Sequence, residues 1–74
     1  MSNADIPALT FGEFIKNARE AKGLLQREVA ARANVEQAYI SKVERGEREP
    51  SLTNALKICQ ALHIDINDFV YQNK

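Results

Sequence analysis

The sequence is poor in whatever staples a small domain together. Among 74 residues there is one cysteine, Cys59, one histidine, His63, and no tryptophan. A single cysteine excludes an intramolecular disulfide. A Cys/His pair four residues apart lacks the further ligands of a structural zinc site, so neither a metal nor a cofactor is expected. The apolar runs fall far short of the roughly 20 residues that a membrane-crossing helix needs. Nothing reads as a signal peptide, and with a free thiol the cytoplasm is the expected compartment. Charge of one sign is missing too: ten basic and ten acidic residues cancel. Composition therefore lends no support to nucleic-acid binding; only the placement of charge can. No Ser/His/Asp set, paired-carboxylate cleft or phosphate-cradling glycine loop is present, so an enzyme reading has almost nothing to stand on.

What the chain does have is helical punctuation. Its length fits one domain with a small core and a narrow stability margin. Alternation of the strand kind is absent, while Ala, Glu, Lys, Arg and Gln are plentiful. Residues 1–10 read as an N-terminal arm, with Pro7 as a breaker. Thr10 and Glu13 form a capping box that opens a helix over about 11–22, and Gly23 stops it. A second helix is expected over about 26–33, ended by Asn34, which tolerates a left-handed backbone. A third runs over about 37–45 to Gly46. Pro50 and Ser51 open a fourth over about 52–62, and Asp65 caps a fifth over about 66–71. Residues 72–74 are left as a tail, and residues 11–71 as the domain.

The expected core faces are Phe11, Ile15 and Ala18; Val29, Ala30 and Ala33; Ile40 and Val43 with Val35 beneath. On the fourth helix Leu52, Ala55, Leu56, Cys59 and Leu62 make an apolar stripe, and Phe69 points inward from the fifth. Cys59 on that stripe reads as a buried, inert thiol. His63 reads as a helix-end residue with a left-handed backbone. Phe14 lies on a face expected to be polar and is grouped with Ile6 and Leu9 in a small cluster under the arm. Short links require the five helices to pack as one compact all-α bundle.

The informative stretch is Gln26–Gly46. Two short helices are joined by Asn34-Val35-Glu36, and the first has small residues on its inner face. The second can then cross it closely and project its start, which a DNA major groove is wide enough to admit. Here the residues resemble the phage repressor/Cro type, or XRE family, of helix-turn-helix domains. The resemblance is carried by Phe11-Gly12, Ile15, Arg19, Gly23-Leu24, Gln26, Glu28-Val29-Ala30, Val35, Tyr39-Ile40-Ser41, Glu44-Arg45-Gly46, Pro50-Ser51-Leu52, Ala61-Leu62, Ile64 and Phe69. It implies a lambda-repressor-like five-helix fold and a regulator that binds a double-stranded DNA operator.

The resemblance also implies roles. Gln37, Ala38, Ser41 and Lys42 would face bases. Glutamine matches adenine, lysine reaches guanine and an alanine methyl touches thymine. Gln26, Tyr39, Arg45 and Arg48 would contact phosphates. Arg19 and Glu44 would form an internal ion pair tying the first helix to the third. Domains of this type pair about a two-fold axis, and Ile66, Val70 and Tyr71, more apolar than a chain end needs, are expected at that homodimer interface, the alternative being that they cover the bottom of the core in a monomer. Three positions depart from the pattern: Leu25 stands where Ser or Thr caps the second helix, Glu36 opens the recognition helix, and His63 replaces a glycine. The competing reading is a protein-binding module of the same fold, an antitoxin or adaptor with a protein partner. Neutral charge, Glu36 and Phe14 favour it.

Overall fold

The computed structural model describes residues 9–72. Ile6 and Pro7, and so most of the expected arm, lie outside the described residues. Helices occupy Phe11–Ala21 (α1), Gln26–Ala33 (α2), Gln37–Glu44 (α3), Leu52–Ala61 (α4) and Ile66–Gln72 (α5), with no strand among the described residues. The sequence places each of them to within a residue or two.

Local chemistry explains where the helices begin. The Thr10 hydroxyl accepts from the Glu13 N–H at 3.1 Å, and the Glu13 carboxylate accepts from the Thr10 N–H at 3.0 Å. These bonds satisfy two donors that a helix start leaves unpaired, and they hold the Glu13 carboxyl below the usual carboxylate range. Ser51 caps α4 by accepting from the Asn54 N–H at 3.2 Å. Asp65 accepts from the Asn67 N–H at 2.9 Å and opens α5.

The ends of α1 to α4 share one device. Gly23, Asn34, Gly46 and His63 all have positive φ, at 67°, 57°, 76° and 54°. The residue after each donates its N–H five residues back: Leu24 to Arg19, Val35 to Ala30, Glu47 to Lys42 and Ile64 to Cys59. This paired-bond closure satisfies the last carbonyls and reverses the chain within a few residues. The side chain following the reversal is then turned onto the body. Leu24, Val35 and Ile64 use that position to pack on the core.

The core is centred on Ile15, Val29, Ile40, Val43, Ile58 and Leu62, all almost wholly buried. Burying each such side chain is worth about 1.5–3 kcal/mol before entropy is counted. α2 packs on both α3 and α4, and α1 lies against α3. A Cβ added at Gly12 would sit 2.1 Å from the Val43 carbonyl oxygen, so α1 and α3 touch backbone to backbone there.

Two expectations need correction. Leu52 and Leu56 are not core residues: they are 70% and 40% exposed. The buried face of α4 runs through Ala55, Ile58, Cys59 and Leu62, and the two leucines lie at its edge. Phe14 is neither on a polar face nor in a satellite cluster. It is buried, with its ring centroid 5.5 Å from that of Phe69 and 6.2 Å from that of Phe11. α5 folds back far enough to roof α1, which widens the apolar face of α1 beyond a single stripe. Ile66, expected at a subunit interface, is half-buried and packs on this same core.

Candidate nucleic-acid interface

The candidate surface is built on α3. Asn34 ends α2 in the left-handed conformation, Val35 packs on the core, and Glu36 starts α3. Ile40, Val43 and Glu44 face inward. Gln37, Ala38 and Lys42 are exposed and Ser41 is half-buried, so the four residues expected to face bases share the outer side of one two-turn helix.

Behind this helix is the expected ion pair. Arg19 Nε and Nη2 donate to the two Glu44 carboxylate oxygens at 2.7 and 3.0 Å. Both side chains are largely shielded, at 13% and 3% exposure. Arg19 Nη1 also donates to the Leu24 carbonyl at 2.8 Å, so one guanidinium ties α1, the α1–α2 link and α3 together. The bond to Glu44 raises the Arg19 pKa further. Glu44 is fully accounted for: Gln26 Nε2 donates to its Oε1 at 3.0 Å. Gln26, expected at a phosphate, thus stands at the start of α2 with its amide anchored to the buried pair.

Two more of the expected phosphate residues come together. The Arg48 guanidinium lies 5.5 Å from the Tyr39 ring centroid, a cation–π geometry. The Tyr39 hydroxyl accepts from Asn54 Nδ2 at 3.1 Å. Asn54 is a contributor that sequence reasoning missed, because an asparagine in the first turn of a helix carries no signal for a partner 15 residues away. Arg45 is held on one side by Glu47 and on the other by Ser41.

The departures have visible consequences. Leu25 makes no side-chain cap, is 48% exposed, and leaves only the Glu28 carboxylate accepting from the Leu25 N–H at 2.8 Å. Glu36 is exposed and makes no side-chain cap either. His63 takes its left-handed place at the end of α4. Cys59 is buried; that burial, with the Asp65 charge second, pushes its thiol up to about 11, which suits an inert packing residue. No cluster of potential metal ligands occurs among the described residues. No helix among them is long and apolar enough to cross a membrane.

This geometry, an inward-pinned helix with a polar outer face crossing a small-residue helix, is matched by known proteins. A helix-turn-helix family model fits residues 15–69. The chain belongs to the XRE-type helix-turn-helix family. The HTH-type transcriptional regulator y4dJ of Sinorhizobium fredii is 40% identical over 60 residues, covering 81% of this chain and 77% of that protein. The crystal structure of the restriction-modification controller protein C.AhdI from Aeromonas hydrophila superposes with a TM-score of 0.78 at 38% identity, covering 89% of this chain and 97% of that one. A tyrosine-to-phenylalanine mutant of C.Esp1396I, solved bound to its highest-affinity operator site, matches with a TM-score of 0.76 at 26% identity over 84% of this chain and 82% of its own. Several other relatives are longer, and the chain spans only 26% to 50% of their length. The family is one of DNA-binding transcription regulators.

Proposed function

We propose that this chain is a sequence-specific transcriptional regulator that binds a palindromic operator as a homodimer, in the cytoplasm, without catalysing a reaction. The observation that carries the reading is the outer face of α3. Gln37, Ala38, Ser41 and Lys42 stand together on a helix whose inner face is fixed by Ile40, Val43 and the Arg19–Glu44 pair. A rigid helix presenting an amide, a methyl, a hydroxyl and an ammonium group suits major-groove readout, where hydrogen-bond geometry and methyl contacts discriminate base pairs. Gln26 and the Tyr39–Arg48 pair flank it as phosphate contacts that fix register, and Arg45 lies at its far end. One such helix spans only a few base pairs, so useful specificity calls for two half-sites about one helical turn apart.

Selection of bound sequences from a random DNA pool tests the reading. Enrichment of an inverted repeat is expected. Gln37→Ala should then weaken operator binding by about 1–3 kcal/mol and relax preference at one base pair in each half-site. An unchanged base preference in Gln37→Ala would remove α3 as the recognition helix. The alternative, a protein-binding module with a protein partner in place of DNA, loses the exposed phenylalanine that favoured it, since Phe14 is buried. Recovery of no sequence from the pool would restore that alternative.

A further inference from the structure

At the ends of α1, α2 and α4 the residue after the left-handed reversal is Leu24, Val35 or Ile64, and each packs on the core. An apolar residue is what this closure ordinarily carries there. At the end of α3 the same backbone bonds form, with Gly46 at φ 76° and the Glu47 N–H donating to the Lys42 carbonyl at 2.8 Å, but the side chain is an exposed glutamate. It makes a different contact. Arg45 Nε donates to Glu47 Oε2 at 2.6 Å and Arg45 Nη2 to Glu47 Oε1 at 3.3 Å, so the carboxylate grips one edge of the guanidinium. Arg45 Nη1 donates to the Ser41 hydroxyl. The pairing holds the Glu47 carboxyl below the usual carboxylate range.

A guanidinium has five N–H donors in a fixed plane. Three are used here, and the two left are one on each terminal nitrogen. They form a fork that matches two oxygens of a phosphodiester. We propose that Glu47 is a positioning residue for DNA binding: with Ser41 it locks Arg45 so that this fork is presented to one backbone phosphate in one orientation. The inference rests on the DNA-binding reading above. The pair also carries no net charge. A free arginine is drawn to any phosphate nearby, and such contacts make non-specific binding strong and salt-dependent. An Arg45 paired in this way, though more than half exposed, favours the register in which a phosphate meets the fork. Glu47 therefore adds to discrimination between operator and other DNA, although it is a carboxylate beside a polyanion.

The test compares E47Q with E49Q, measuring affinity for the selected operator and for a random-sequence duplex over a salt series. Glu49 is an exposed carboxylate two residues further on, without an ion-pair partner among the described residues. E49Q should tighten binding to both DNAs by the same factor. E47Q should tighten random-duplex binding more than operator binding, lowering the operator-to-random ratio by about two- to fivefold, and should steepen the random-duplex salt slope by about 0.9, one freed phosphate contact. The difference between E47Q and E49Q should vanish in an R45Q background. In the unbound protein, the Arg45 Nε–H should give a resolved NMR signal that E47Q abolishes. A ratio unchanged in E47Q, with both DNAs gaining alike, would overturn the positioning role and leave the DNA-binding reading intact. A parent chain that bound neither DNA would overturn both.

Discussion

At the scale of single residues, two positions bear more than their size suggests. Gly12 is needed because α1 and α3 approach to the point where a Cβ would lie 2.1 Å from the Val43 oxygen and 3.0 Å from the Glu44 oxygen. Both neighbours are main chain, so neither can swing aside. Gly12→Ala should therefore destabilise the fold by about 3 kcal/mol, despite alanine's better helix propensity, read as a lowered urea midpoint with an unchanged slope. A neutral or stabilising effect would mean that the two helices can part at little cost. The Arg19–Glu44 pair behaves differently from the exposed Arg45–Glu47 pair, because water screens the second and hardly reaches the first. Arg19→Ala leaves Glu44 buried with Gln26 as its remaining partner and should cost about 3 kcal/mol. Combining Arg19→Ala with Glu44→Ala should cost less than the two single losses added together, since no orphaned charge remains. Strict additivity in that cycle would show that the two charges do not act as a pair. The pair was legible in the sequence only through family resemblance; nothing in composition or spacing selects one arginine and one glutamate 25 residues apart.

At the scale of elements, what was legible follows from locality. Helix starts and stops were readable because caps are chemistry between residues two to five apart: Thr10 with Glu13, Ser51 with Asn54, and left-handed residues at Gly23, Asn34, Gly46 and His63. Which side of a helix is buried was less readable, because that depends on the neighbour. On α4 the expected stripe holds at Ala55, Cys59 and Leu62 but includes the exposed Leu52 and Leu56 and lacks the buried Ile58, and the burial of Phe14 depends on Phe69, 55 residues away. The outer face of α3 was readable as a surface, but the bonds made by Tyr39, Asn54 and Glu47 across it were not. Local chemistry also predicts where this fold can be improved. α2 begins at Leu25 with half of a side-chain capping box: Glu28 accepts from the Leu25 N–H, while the Glu28 N–H has the Leu25 carbonyl at 3.0 Å and no side-chain acceptor. Leu25→Thr should complete the box and remove an exposed apolar side chain, adding about 1 kcal/mol. For a domain of this size, that corresponds to a melting temperature higher by about 4–8 °C. No gain on thermal melting would mean that the start of α2 is already satisfied in another way.

At the scale of the whole molecule, the question is what the remaining apolar surface does. The core is small, yet five large apolar side chains are left 40–70% exposed: Leu25 before α2, and Leu52, Leu56, Val70 and Tyr71 on α4 and α5. The first turn of α4 reaches the candidate DNA contacts through the Asn54–Tyr39 bond, so a partner seated on α5 and the later turns of α4 would leave α3 uncovered. A second copy is the partner that fits a two-fold operator, since one self-complementary patch then serves both subunits and sets the spacing of the two α3 helices. Ile66 would offer such a patch little area, because it is half-buried against its own core. Val70, 53% exposed on the last helix, is the more direct probe. A glutamate there would have to be desolvated in an interface but would remain hydrated on a free surface. Sedimentation of the parent chain at micromolar concentration should show a dimer, and Val70→Glu should shift it to monomer without lowering the helix content. A parent that sediments as a monomer throughout would confine pairing to the DNA-bound state. A dimer indifferent to Val70→Glu would move the interface to Leu52 and Leu56, where Leu52→Glu should then dissociate it.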